Sequence, residues 1–181
     1  MQRNLVPNRG NYRTLICYCK AEVIYDITYY FAHNFLDKKD RTIDQMIQAA
    51  RSGKQNIVEG YEAGATSAET EIKLINVAKS SLCELLTDYE DFLRTRGLRQ
   101  WESSSEEFRC AQELGRQHND SAYWIELVSS RNSEVIANIA IILLHQCDYL
   151  IYKFLQSLSK RYEKEGGFRE KLYRTRKSLL P

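Results

Sequence analysis

Two polar residues, Asn56 and Glu59, interrupt an otherwise apolar helical pattern in the segment 55–71. They lie three residues apart, so on a helix they share one face. Such a pair could line a polar pocket between subunits or contact a ligand. Alternatively, it could bind the backbone groups that are left without partners where one helix ends and the next begins. The sequence favours this second, structural interpretation, in which Gly60 and Gly64 end the helix by adopting positive φ.

Basic side chains are the second candidate for chemistry. Arg51 and Lys54 also lie three residues apart on the same helix, and the C-terminal tail adds five cations: Arg169, Lys171, Arg174, Arg176 and Lys177. Residues 153–181 carry 9 Lys and Arg against 3 Asp and Glu, whereas residues 1–152 carry 17 against 21. A solvated face explains these cations in a monomer. In an oligomer, gathered tails would concentrate positive charge and attract a polyanion.

Metal binding and catalysis are not indicated by the remaining reactive residues. The sequence has no Glu-x-x-His pair of the kind that holds di-iron centres in helical bundles, and its three histidines are far apart. Cys17 and Cys19 are two residues apart, so on a helix their thiols point about 200° away from each other and cannot chelate one ion. Phosphate-binding loops and nucleophile elbows are absent from the sequence. The sequence therefore predicts no metal, no cofactor, no small-molecule substrate and no enzymatic activity.

Cysteine use and hydropathy bear on location. The 5 cysteines are odd in number and most fall in helical patterns, which is typical of buried free thiols in a reducing compartment. The first residues lack the apolar core of a signal peptide, and the most apolar run, 139–144, is far too short to cross a bilayer. The sequence therefore predicts a cytoplasmic protein without a membrane segment.

Apolar residues at helical spacing predict four long helices. Three of them cover about residues 11–34, 42–61 and 133–164, and the remaining one, third in chain order, runs from Thr66 until Gly97 stops it. Asn11 is expected to cap the first helix, and Thr66 followed by Glu69 matches a capping box.

The segment of about 98–131 is different, because it is polar and yet carries both tryptophans, Trp101 and Trp124. A short helix over about 104–117 is expected within it. We expect an elaborated connection that packs on the helices through its tryptophans. Alternatively, the tryptophans form a docking surface for another protein, since Trp is enriched at binding hot spots.

The last helix is apolar on more than one face, because five apolar residues lie outside its main apolar stripe: Ile142, Leu144, Tyr149, Tyr152 and Leu155. Either the connecting segment or another subunit must cover this second face. Short connections make neighbouring helices antiparallel. The predicted fold is all-α: an up-down-up-down antiparallel four-helix bundle over residues 1–165, with a helical insert before the last helix and a basic C-terminal tail over 166–181.

Two groups of segments carry a family resemblance. The first is similar to bacterial four-helix-bundle proteins encoded in 23S rRNA intervening sequences, a group that includes the accessory variability-determinant proteins of diversity-generating retroelements. Its segments are 21–28, 49–60, Ser67 with Glu71, and 78–85. The second group resembles the subgroup that has a "four helix bundle suffix" extension. Its segments are 96–101, 131–138, His145 with Gln146, and 165–174.

The resemblance implies a four-helix bundle that assembles into a homo-oligomeric ring, with a pentamer expected. In the retroelement relatives, basic surfaces bind RNA and a reverse transcriptase. The first functional hypothesis is therefore a non-catalytic oligomeric scaffold that binds RNA or a nucleoprotein through Arg51, Lys54 and the tail. The alternative is a protein-interaction module with no nucleic-acid role, which would use the two tryptophans.

Overall fold

The protein is all-helical throughout residues 10–165, which the computed structural model describes together with residues 173 and 177. The predicted all-α class is confirmed. A short 3-10 helix (Tyr12–Thr14) precedes six α-helices: α1 (Ile16–Phe35), α2 (Thr42–Ala63), α3 (Ala68–Thr95), α4 (Glu106–Gln117), α5 (Ser121–Ser129) and α6 (Ser133–Glu165).

The start of α1 lies later than the sequence predicted. The Asn11 side chain does act as a cap, but it accepts from the Arg13 amide at 2.9 Å and so caps the 3-10 helix. Leu15 is extended (φ −74°, ψ 121°), which separates that turn from α1. The apolar stripe continued smoothly across this break, and periodicity alone could not reveal it.

Gly60 does not end α2, in contrast to the prediction, because the helix continues through it to Ala63. Neither Gly60 nor Gly64 has positive φ. Gly60 is instead a buried point of close approach: a Cβ atom there would lie 3.0 Å from the Ile75 side chain and 3.3 Å from the Glu71 carbonyl oxygen. Because glycine has no side chain, α2 and α3 can pack closely against each other at this position.

The two ends of α3 show local hydrogen bonding that sets its length. Ser67, and not Thr66, is the N-cap, and its hydroxyl accepts from the Thr70 amide at 3.2 Å. The predicted capping box of Thr66 with Glu69 is therefore wrong, because the residue three positions after the actual N-cap is Thr70. At the other end Gly97 has φ +64°, and the Leu98 amide reaches back to the Leu93 carbonyl at 2.9 Å. This Schellman closure confirms Gly97 as the stop signal.

The connection between α3 and α6 contains two helices, one more than predicted. Ser105 caps α4 by accepting from the Phe108 amide at 3.2 Å. The connection is fixed to α6 by Asn138, which is only 2% exposed. Its side chain accepts from the Trp101 amide at 2.7 Å and donates to the Arg99 carbonyl at 2.9 Å.

Lys20 fixes the other end of this connection to α1. The side chain is 1% exposed, and its ammonium donates to the Gly115 carbonyl and, at 3.3 Å, to the His118 carbonyl. Both carbonyls lie between α4 and α5, where the last carbonyls of a helix have no amide donor within that helix. The buried ammonium supplies the hydrogen-bond donors for them. Burial lowers the Lys20 pKa to about 8.

The first part of α6 is buried on every side. Nine consecutive residues, 136–144, are each 4% exposed or less. Since nine residues cover the full circumference of a helix, α1, α3 and the α4 segment together enclose it. Ile142 and Leu144 are thus covered within one chain, so they supply no reason for a second subunit. Among the described helices α6 alone could span a membrane by length and composition, but 61% of its most apolar window is buried, and core helices pass the same test.

The four long helices pack in a closed set of pairs. α2 packs on both α1 and α3, and α6 likewise packs on both α1 and α3. α2 and α6 have no comparable contact with each other, so surfaces on these two helices are separated by the core.

Candidate functional site

Asn56 stabilises the fold from a half-buried position. Its amide donates to the Ser52 carbonyl at 2.9 Å and to the Ser52 hydroxyl at 3.2 Å. That hydroxyl lies 3.0 Å from the hydroxyl of Ser81 on α3. The three side chains form a polar link between α2 and α3. Asn56 therefore contacts backbone within its own helix, one turn back, and does not reach the corner between α2 and α3.

Glu59 does not share a pocket with Asn56. Its side chain is exposed, and within residues 10–165 it has no hydrogen bond or ion pair. The functional interpretation of this pair as a ligand-binding site therefore has no geometric support, and a backbone-binding role for Glu59 has none either.

The predicted basic pair on α2 lies beside an aromatic row on α1. The Lys54 ammonium sits 4.1 Å from the centre of the Tyr25 ring, within the range of a cation–π contact. Tyr25, Tyr29 and His33 follow at four-residue intervals, with ring centres 6.4 and 4.4 Å apart. Arg51, one turn before Lys54, is exposed. Lys54 is thus engaged within the chain, whereas Arg51 is available.

The predicted cations of the tail lie almost entirely beyond the described residues. Arg169, Lys171, Arg174 and Arg176 are outside them. Lys177 is exposed, as is Tyr173 at 67%.

A surface that the sequence analysis did not identify lies on the second half of α6. We call it the α6 outer stripe, and it consists of Tyr149, Tyr152, Lys153, Gln156 and Lys160. These residues recur at spacings of three and four and so occupy one face. Both tyrosines are large apolar side chains left in solvent, at 58% and 46% exposure. Both lysines are exposed as well.

Contacts within the α6 outer stripe interleave its cations and rings. The Lys153 ammonium lies 5.5 Å from the Tyr149 ring centre, and Lys79 of α3 lies 6.0 Å from that of Tyr152. Gln156 donates to the Tyr152 hydroxyl at 2.6 Å. The acidic neighbour Asp148 is paired with Lys79 at 3.3 Å, and the net charge of residues 153–181 is positive. The stripe combines π faces with the ammonium groups of Lys153 and Lys160, which have no carboxylate partner among the described residues.

The tryptophans differ from each other in exposure. Trp124 is 1% exposed and donates from its indole to the His118 carbonyl at 3.2 Å. Trp101 is half-buried and packs against the core. A docking surface built on both rings is therefore not presented by this chain, since one ring is fully enclosed.

The buried thiols are poor nucleophiles. Burial raises the pKa of Cys17 to about 11 and that of Cys147 further still, with the neighbouring Cys17 thiol adding to the second shift. All five cysteines are free. Within the described residues no group of three or more His, Cys, Asp or Glu side chains could hold a metal ion. The reactive groups do not converge on a catalytic arrangement.

Comparison of the chain with models of known protein families, with curated proteins and with solved structures finds no match.

Proposed function

We propose that this protein is a non-catalytic helical scaffold that binds single-stranded nucleic acid, RNA first, through the α6 outer stripe and the basic tail that follows it. The observation that carries the proposal is the pair of exposed tyrosines, Tyr149 and Tyr152, followed by Lys153 and Lys160 on the same helix face. Exposed rings that adjoin each other and are bordered by cations form the kind of patch that marks an interaction site.

The chemistry of the stripe suits an extended strand. Each base has a π face that stacks on an aromatic side chain, and one such contact contributes about 1–3 kcal/mol. Lys153 and Lys160 are seven residues apart, about 10 Å along the helix axis at 1.5 Å per residue. That spacing lets them meet different phosphates of one backbone while the tyrosines meet its bases. The tail then extends the positive charge beyond the end of α6.

The scaffold itself is inferred to be an up-down-up-down four-helix bundle. The connections between α1 and α2 and between α2 and α3 are short, which favours antiparallel neighbours. The closed set of helix pairs supports the same arrangement. The helical connection of α4 and α5 then carries the chain back for α6.

A homo-oligomer, and the pentamer in particular, stays a prediction of the family resemblance. Several copies would place several α6 outer stripes and tails on one assembly, which raises affinity for a long polyanion by avidity. The cytoplasmic location likewise stays a prediction, made from cysteine use and hydropathy. The protein-interaction alternative is weaker, since Trp124 is enclosed.

Fluorescence anisotropy with a labelled single-stranded RNA of about ten nucleotides tests the proposal. Tyr149→Ala with Tyr152→Ala should weaken binding about thirtyfold or more, from the loss of two stacking contacts of at least about 1 kcal/mol each. Lys153→Ala with Lys160→Ala should lower the slope of log affinity against log salt by about 1.4, at about 0.7 for each phosphate contact.

A matched control replaces two exposed lysines elsewhere, Lys38→Ala with Lys39→Ala, and should leave the affinity and the salt slope nearly unchanged. Arg51→Ala with Lys54→Ala tests the α1–α2 surface on the other side of the core. If the variant of Arg51 and Lys54 loses RNA binding while the α6 variants keep it, the binding site lies on α2, as the sequence predicted, and the α6 proposal is wrong. The absence of RNA binding at low salt would overturn the function altogether.

A further inference from the structure

A cavity of about 630 Å³ opens between α1, α4 and α6. Its volume falls within the range of small-molecule sites, about 300–1,000 Å³. Ile16, Phe108 and Leu150 supply apolar walls, and Arg116, His145 and Tyr149 are exposed polar or aromatic groups that line the same cavity. Ile16 is 56% exposed, an unusual state for a large aliphatic side chain at the start of a core helix.

Hydrogen bonds in the floor make the cavity a fixed feature of the fold. The Gln146 amide nitrogen donates to the Gln112 carbonyl at 2.8 Å, which ties α6 to α4. Lys20 ties α1 to the Gly115 carbonyl. Gly115 has no side chain, and a Cβ atom there would overlap the Gln146 amide. These contacts hold α4 close to α6 on one side and leave the space above them open.

The floor also holds an acceptor that the protein does not use. The Gln146 amide oxygen is buried and has no hydrogen-bond partner within the described part of the chain. The amide nitrogen faces the Gln112 carbonyl, because an amide oxygen in that place would repel the carbonyl oxygen. The amide oxygen lies against Gly115. A ligand that presents an N–H group therefore reaches this oxygen only when the Gln146 side chain turns toward the cavity and gives up its hydrogen bond to Gln112.

The cavity adjoins the α6 outer stripe, because Tyr149 belongs to both. One face of α6 therefore leads from the basic tail, past Lys153, to the cavity mouth. Arg116 at the mouth is held loosely, by Glu113 at 3.4 Å and by the Gln112 side chain at 3.1 Å, on an exposed surface. A guanidinium placed in this way can turn to a phosphate at small cost, since exposed ion pairs contribute little.

We propose that this cavity receives one nucleobase of the bound strand. The base would lie between the Phe108 and Leu150 walls, with an N–H of its pairing edge toward the Gln146 oxygen and its phosphate toward Arg116 and His145. Tyr149 would stack the next base on the stripe. The inference rests on the proposed function, and it assigns to the cavity the role of anchoring one position of the strand.

The test uses AMP as the isolated probe and the same short RNA as the strand probe. Ile16→Trp places a large ring in the cavity mouth at an exposed position. Val77→Trp is its matched control, because it places the same ring at an exposed position outside the cavity lining. Wild-type protein and Val77→Trp should bind AMP in calorimetry, and Ile16→Trp should lose that binding. Ile16→Trp should also weaken RNA binding about tenfold. It should lower the salt slope by about 0.7 at most, from the loss of the phosphate contact at the cavity mouth, because the phosphate contacts of the stripe stay in place.

The outcomes separate this inference from the proposed function. If AMP does not bind at millimolar concentration, or if Ile16→Trp leaves RNA affinity unchanged while the Lys153 and Lys160 variant weakens it, the base pocket is overturned and the stripe stands. If the apolar dye 8-anilinonaphthalene sulfonate displaces AMP but RNA does not, the cavity is not part of the strand site and the inference fails. If RNA does not bind at all, both fail together.

Discussion

The buried lysine makes a quantitative prediction about how stability depends on pH. Lys20 has an ordinary pKa of 10.5 and a folded pKa of about 8. Between these values the unfolded state binds more protons than the folded state, so the free energy of unfolding rises as pH rises. Below about pH 8 both states are protonated and the whole cost of burying the charge is present. At about 1.4 kcal/mol for each pH unit between the two pKa values, that cost is at most about 3 kcal/mol.

The two carbonyls that accept from the Lys20 ammonium, those of Gly115 and His118, offset part of this cost at neutral pH. The pH dependence is the clearer measurement for that reason. Urea unfolding of the wild type and of Lys20→Met at several pH values isolates it, because every other titrating group is common to both proteins.

Relative to that of Lys20→Met, the free energy of unfolding of the wild type should rise by about 1 kcal/mol between about pH 7 and pH 9, and by about 2 kcal/mol by about pH 10. The exposed Lys38→Met is the control and should run parallel to the wild type. A difference between the wild type and Lys20→Met that stays flat over this range, or that falls with pH, would refute the assignment of a buried, charge-destabilised ammonium at this position.

Three further predictions concern packing, a polar anchor and the thiols. Gly53→Ala should destabilise the protein by about 1–2 kcal/mol in urea unfolding, because its Cβ would lie 2.5 Å from the buried Leu82 side chain and overpacking outweighs the helix-propensity gain. Gly115→Ala should cost less, since only a movable Gln146 amide is in the way. Asn138→Leu should lower the free energy of unfolding by about 2–4 kcal/mol, because the backbone groups of Trp101 and Arg99 lose their hydrogen-bond partner. The N-cap change Asn132→Ala should lower it by only roughly 1 kcal/mol. Equal losses for the two variants would contradict the role of Asn138 as an anchor. A thiol reagent should modify the exposed Cys83 and Cys110 quickly and the buried Cys17 and Cys147 only on unfolding, and mass mapping would expose any reversal of that order.

Much of the helical architecture could be predicted from periodicity, because an apolar stripe records which face a helix buries. The positions of α2, α3 and α6 follow from their stripes within a few residues. Errors arose where a local hydrogen bond decides the boundary. Ser67 and Thr66 are chemically alike, and only the backbone conformation shows which of them caps α3.

The candidate site was less predictable, because the relevant signals resemble packing signals. Tyr149 and Tyr152 belong to the apolar residues outside the main stripe of α6, for which the sequence predicts cover, yet both rings are exposed. Tyrosine has an apolar ring and a polar hydroxyl, so its type alone does not distinguish a core position from a stacking platform. Lys20 illustrates the converse case, since a lysine in sequence suggests surface and only the fold reveals two carbonyls that hold it inside.

The single helix α6 thus performs two physical tasks along its length, and the α4–α5 connection explains how it can. Residues 136–144 are enclosed on all sides, so this part of α6 supplies the core. Beyond Leu144 only one side stays buried, through Cys147, Ile151 and Leu158. The opposite side is free to carry tyrosines and lysines. Because α4 packs against α6, the apolar surplus of the first part of α6 is covered within the chain. The apolar surface that α6 leaves in solvent is therefore on its second part, at Tyr149 and Tyr152.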